Sequence, residues 1–295
     1  MKTHTARTLL LMTFVAVAGM LVNGARANEG PTAEMILLQQ AAYFQKIHSL
    51  DFTARNRTAL SEARRAQQRI PVNPYNTDLH FVYKDGRFLS DVSSPASKAT
   101  VTYDGQQYQF LSDGNLVTGT DKLAGVVYGS SLPPFDIFSF VMLPGDDLSL
   151  LTFQDSGKWR QLASLVTSIV ASDMFGFHGY KLTFDKPSTV WPGTDRDHHE
   201  VFFASERDYL PLYWSTTANC SNGKARIESK VLEAKQIGIG IDQIWVPVSA
   251  TTSQYLDDVL QEQVTTDVPS ITFDSPVNDQ VFHLSAPPSD PVTAK

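Results

Sequence analysis

The densest run of chemically capable side chains is Asp195-Arg196-Asp197-His198-His199-Glu200. Imidazole and carboxylate are ligands that divalent ions accept, and a histidine beside acids can also serve hydrolysis. The spacing argues against a metal. In a strand, neighbours point to opposite faces, so His198 and His199 diverge and only Asp197 and His199 share a side. Neither His-Glu-x-x-His nor Cys-x-x-Cys occurs in the chain. The run reads as a loop entering a strand, with a hydrolase around His198-His199 as the enzymatic alternative.

Other chemistries find less support. There is no Gly-x-Ser-x-Gly elbow, and the serines near glycines (Ser130, Ser156, Ser221) lie in turn-like contexts. Gly238-x-Gly240 lacks the third glycine and following helix of a dinucleotide site, so it reads as a turn or bulge. Arg64-Arg65 with Arg69 reads as a solvated edge that could meet an acidic partner. The expectation is a non-enzymatic protein with no catalytic residues, no metal and no cofactor.

Bulk properties narrow the class further. The chain is 42% hydrophobic, which suits a packed body. Its net charge of -7, without a long basic run, disfavours nucleic acid and anionic membrane surfaces. Cys220 is the sole cysteine, so no internal disulfide can form, and a thiol packed beside a strand is expected. At the N-terminus, Lys2 and Arg7 precede an apolar stretch from Thr8 to Val22, followed by Ala25-Arg26-Ala27. That order predicts a cleavable signal peptide over residues 1–27, cut after Ala27, and a periplasmic or secreted protein. No later stretch is long and apolar enough to span a bilayer.

The elements that position these residues are mostly strands. A helix is expected in Ala33 to Leu50, with Met35, Leu38, Ala42 and Ile47 at helical spacing and Leu37, Ala41 and Phe44 widening the stripe. Asp51 to Leu60 reads as extended. Asp85-Gly86, Asp104-Gly105 and Asp113-Gly114 then separate short alternating runs, a hairpin meander. Lys158 to Met174 carries Trp159, Leu162, Leu165, Val166 and Ile169 at helical spacing, so helical cover is expected over about residues 123–175. Strands resume from Gly179, and Pro276 to Leu284 closes with a helical turn. The expected fold class is α+β: one large curved antiparallel sheet, a half-barrel, with helices covering its concave face. Residues 28–295 are expected to form a single domain.

Local phrases in the last third carry a family resemblance. Asp208-Tyr209-Leu210-Pro211-Leu212, Ile244-Trp245-Val246-Pro247-Val248 and the closing segment from Asp274 to Pro288 resemble the LolA/LolB-type half-barrel of periplasmic lipoprotein carriers. The resemblance implies a lipid or lipidated protein as ligand, with an envelope protein as a further partner. Physical reasoning reaches a similar place, because an apolar concave face is either filled by its cover or left as a cleft for acyl chains. The residues expected to line such a cleft are Phe135, Phe138, Phe140, Met142, Trp159, Phe175, Phe177, Trp214 and Trp245, with Gly176 and Gly179 as hinges. An envelope interaction or sensor module using the same fold without lipid is the alternative.

Overall fold

A computed structural model describes residues 30–62, 64–65, 76–112, 114–119, 137–138, 141, 153–188, 194–221, 223–239 and 242–284. The expected signal peptide, the Pro-rich tail and Phe135, Phe140 and Met142 lie outside the described residues.

Helix α1 (Ala33–Gln45) buries Ile36, Leu37, Gln40, Ala41 and Phe44 along one side. The buried stripe therefore takes in Leu37, Ala41 and Phe44, expected only to widen it, together with Ile36 and Gln40; Met35 and Ala42 face out, and Ile47 is buried just beyond the helix. The strands follow in chain order. They are β1 (Ser49–Leu60), β2 (Thr77–Lys84), β3 (Arg87–Ser93), β4 (Lys98–Tyr103), β5 (Tyr108–Ser112) and β6 (Asn115–Gly119). After helix α2 (Ser156–Leu165) come β7 (Val166–Met174), β8 (Phe177–Pro187), β9 (Arg196–Ala204) and β10 (Leu210–Cys220). Three long strands finish the sheet: β11 (Gly223–Ile239), β12 (Asp242–Leu256) and β13 (Val259–Phe273).

All of these strands form one 13-stranded sheet in the order β6-β5-β4-β3-β2-β1-β13-β12-β11-β10-β9-β8-β7. Every pairing is antiparallel, and β6 and β7 are left as edges. The α+β expectation of an open antiparallel sheet of half-barrel type is met. Its centre joins the first and last of these strands, because β1 pairs β13 from Leu50↔Phe273 to Leu60↔Glu262.

Turn chemistry explains the meander. Asp85 and Gly86 both take positive φ (47° and 84°), so Lys84↔Arg87 closes a two-residue hairpin. The Asp104-Gly105 turn is looser than its sequence implies. Tyr103 pairs Tyr108 across four residues, and Asp104 Oδ1 accepts from the Gln106 and Gln107 amides.

The expected helix from Ala33 to Leu50 ends at Gln45, with Ser49 and Leu50 already in β1, and a second helical expectation is overturned further on. The helix expected to run from Lys158 to Met174 stops at Leu165, and residues 166–174 are strand β7. Asp155 caps its start by accepting from the Gly157 amide. The β-branched run Val166-Thr167 and Ile169-Val170 favours extended backbone, and hydrogen bonding to β8 decides the contest. As an edge strand with most of its residues exposed, β7 shows no alternation that could have revealed it. Gly179 has a packing role instead of a hinge's. A Cβ there would stand 2.0 Å from the Phe203 carbonyl oxygen, so only glycine fits.

Candidate functional site

The inner face of the sheet is the face on which the helices pack. At one end it is wholly apolar. Leu50 and Phe52 of β1, Leu182 and Phe184 of β8, Val201 and Phe203 of β9 and Leu212 of β10 join Ile36, Leu37 and Phe44 of α1 in one core. Phe138 meets Phe44 edge-on at 4.9 Å, and Phe153 lies 5.1 Å from Phe44. Trp159 is completely buried in this aromatic group and donates from Nε1 to the Phe153 carbonyl at 2.8 Å.

Gln154 fastens the segment leading into α2. Its Nε2 donates to the carbonyls of Phe44 (3.0 Å) and Ile47 (2.8 Å), and its Oε1 accepts from the Tyr83 hydroxyl (3.1 Å). Gln45 Nε2 in turn donates to the Gln154 carbonyl at 3.0 Å. One amide thus ties the end of α1 and strand β2 to the chain that carries Trp159.

Further along the same strands the inner face turns polar. On β1 the inward series continues from Phe52 and Ala54 to Asn56 and Thr58. On β10 it passes from Leu212 through Trp214 to Thr216, and on β8 from Phe184 to Lys186. Register aligns these changes. Thr216 pairs His199, Trp214 pairs both Val201 and Ser229, Ser229 pairs Thr252, and Thr266 pairs Asn56. Hydrogen bonds knit the band: Thr252 Oγ1 to Ser229 Oγ at 3.1 Å, Thr266 Oγ1 to Asn56 Oδ1 at 2.8 Å, and Asn56 Nδ2 to Thr77 Oγ1 at 3.2 Å.

The run singled out in the sequence enters here. As strand alternation requires, His198 and His199 part company. His198 faces outward and sits 2.8 Å from Asp185. His199 is 1% exposed, stacks on Phe184 at 5.1 Å and places Nε2 3.4 Å from Thr216 Oγ1. Asp197 shares its face, also buried, opposite buried Lys186. Burial, with the nearby Lys186 charge and then that of His198, lowers the His199 pKa to about 2, so the ring is neutral. Among the described residues no group of three His, Cys, Asp or Glu side chains could hold a metal ion.

The remaining aromatic residues separate. Phe177 and Trp245 meet across Arg207, whose guanidinium carbon lies 4.1 Å from one ring centroid and 4.7 Å from the other. A left-handed turn at Asp208 and Tyr209 (φ 55° and 58°) sets Arg207 there, and buried Gln40 of α1 donates to the Asp208 carbonyl at 2.8 Å. No helix, strand or charge pattern marked Arg207 beforehand. The pairing exists only across three separate segments. Phe175 lies on the outer face, 41% exposed, beside Tyr213 and 4.3 Å from Lys230 Nζ. The outer face there is organised around Glu228, which accepts from Arg226 (2.6 Å), Tyr255 (2.8 Å) and Tyr213 (3.4 Å).

No family model matches this chain, and no curated relative does. Solved structures do. The chain is similar to a DUF1329 family protein from Desulfovibrio piger, at 11% identity over 85% of this chain and 95% of that one, TM-score 0.47. It is also similar to a LolA superfamily protein from Nitrosomonas europaea, at 10% identity over 86% and 99%, TM-score 0.46. The lipoprotein LppX of Mycobacterium tuberculosis aligns at 9% identity over 83% and 97%, TM-score 0.33. At these values the likeness is one of outline, and the chemistry of the site rests on its own residues.

Proposed function

We propose that this protein sequesters a lipid, or the acyl chains of a lipidated protein, against the inner face of its sheet, in the periplasm or outside the cell. The observation that carries this reading is the division of that face. An apolar floor beside α1 and α2 gives way, along the same strands, to a buried polar band at Trp214, His199 and Thr216. That is the pattern an amphiphile needs, since each apolar carbon removed from water contributes about 0.8 kcal/mol while its head still requires hydrogen bonds. The mechanism is binding without chemistry. The cover carrying Phe138 and Trp159 lifts, the chain enters beside Phe44 and Trp214, and a partner that favours the open form promotes release.

The exposed Ile169, Val170 and Phe175 along and beside edge strand β7 favour a second reading, a module that docks an envelope protein without lipid. Native mass spectrometry with lipid extraction separates the two, on protein isolated from an envelope fraction without stripping detergent. A bound lipid of defined mass is expected. A clean unliganded mass with a stoichiometric protein partner would replace sequestration by docking.

A further inference from the structure

Two nitrogen atoms at the polar boundary have no hydrogen-bond partner among the described residues: Nδ1 of His199 and Nε1 of Trp214. Both side chains are more than nine-tenths buried, at 1% and 6% exposure. Unpaired buried polar atoms are rare because each forfeits the hydrogen bonds it had in water, so two on adjacent strands call for a common cause. The register makes them neighbours. His199 pairs Thr216 and Trp214 pairs Val201, which puts the two residues on one diagonal of the inner face. Strand β9 and strand β10 hold them there.

Their chemistry is complementary. The indole Nε1 can only donate. The imidazole is neutral, and its Nε2 faces the Thr216 hydroxyl at 3.4 Å, so when Nε2–H donates to Thr216 the Nδ1 is left as an acceptor. One group satisfies both atoms at once: a hydroxyl, which accepts from Trp214 and donates to His199. In that tautomer an ether or ester oxygen can satisfy only the indole, and a charged head would lose its water in a buried site where Lys186 and Asp197, of opposite sign, already stand across from each other.

We propose that Trp214 and His199 form a headgroup subsite for an uncharged, hydroxyl-bearing amphiphile whose chain lies on the apolar floor. The inference rests on the sequestration reading above and specifies its ligand class. Phe184 stacked on His199 holds the imidazole plane, with the Thr216 hydroxyl facing its Nε2.

The test uses the full-length protein and two probes of equal chain length, 1-dodecanol and methyl dodecyl ether, the second lacking the donor. Wild type is expected to bind the alcohol about tenfold more tightly than the ether, the scale of one buried hydrogen bond whose loss leaves an atom unpaired. His199→Phe is expected to abolish that preference, and Trp214→Phe to weaken both probes by about tenfold, reflecting the shared indole contact. Nitrogen-15 NMR of wild type supplies a readout independent of folding in the variants, because the alcohol should move the Trp214 indole N–H and the His199 Nδ1 resonances together. Equal binding of alcohol and ether with neither resonance shifted would overturn the subsite and leave sequestration standing. Binding of neither probe would overturn both. Wild-type affinity in both variants, accompanied by a gain in stability, would assign the two atoms to internal water and also overturn the subsite.

Discussion

Burial holds the His199 imidazole neutral in the folded protein, reinforced first by the Lys186 charge and then by that of His198. In the unfolded chain the same ring titrates near its ordinary value of 6.5. Below that pH the unfolded state binds a proton that the folded state refuses, so this residue makes stability fall as pH falls. The loss approaches about 1.4 kcal/mol per pH unit, or about 2 kcal/mol between pH 7 and 5. His199→Phe should remove this slope. Urea unfolding of wild type and variant at pH 7 and pH 5 measures it, and equal losses in the two proteins would mean that His199 takes up its proton while folded. Neither the depth of burial nor the Lys186 charge is visible in the string His198-His199. Only the alternation was, and it correctly assigned the two rings to opposite faces.

At the scale of elements, the joint between α1, β2 and α2 depends on Gln154. The last carbonyls of a helix lack partners within it, and here a side chain more than a hundred residues away supplies one to Phe44. Gln154→Ala removes this donor and the acceptor of the Tyr83 hydroxyl together. It should cost about 2 kcal/mol, since buried groups lose partners that water cannot readily replace. Denaturant unfolding monitored by Trp159 fluorescence reports the loss. A change below about 0.5 kcal/mol would show that water replaces the amide and that the cover is fastened elsewhere. Nothing in the local sequence Phe153-Gln154-Asp155 marks a fastening, because glutamine of this kind is common on solvated surfaces.

Across the whole molecule, the pairing of β1 with β13 places the first and last strands at the middle of the sheet. The centre therefore forms from residues more than two hundred positions apart, a connection that folds slowly because loop closure precedes any reward in contacts. Stability should grade outward from it. Hydrogen exchange is expected to be slowest in β1, β12 and β13 and fastest in the edges β6 and β7, with β7 opening independently of the centre. Protection in β7 equal to that of β13 would mean that another segment or chain covers this edge.

Short-range signals were enough for much of this. The Asp-Gly turns, the alternation in β1 and β2 and the apolar spacing around Phe44 each depend on interactions a few residues long, so the α+β class and the meander could be read directly. Where short-range preferences were divided, reading failed. Residues 166–174 carry helical spacing and β-branched side chains at once, and pairing with β8 chose the strand. The candidate site belonged almost entirely to tertiary structure. Trp214 and His199 are fifteen residues apart in a chain whose apolar periodicity looks the same for filler and for site. Two-residue alternation determines which way a side chain points. Which face is buried, how deeply, and which polar atoms are left without partners there depend on every strand and helix packed against it.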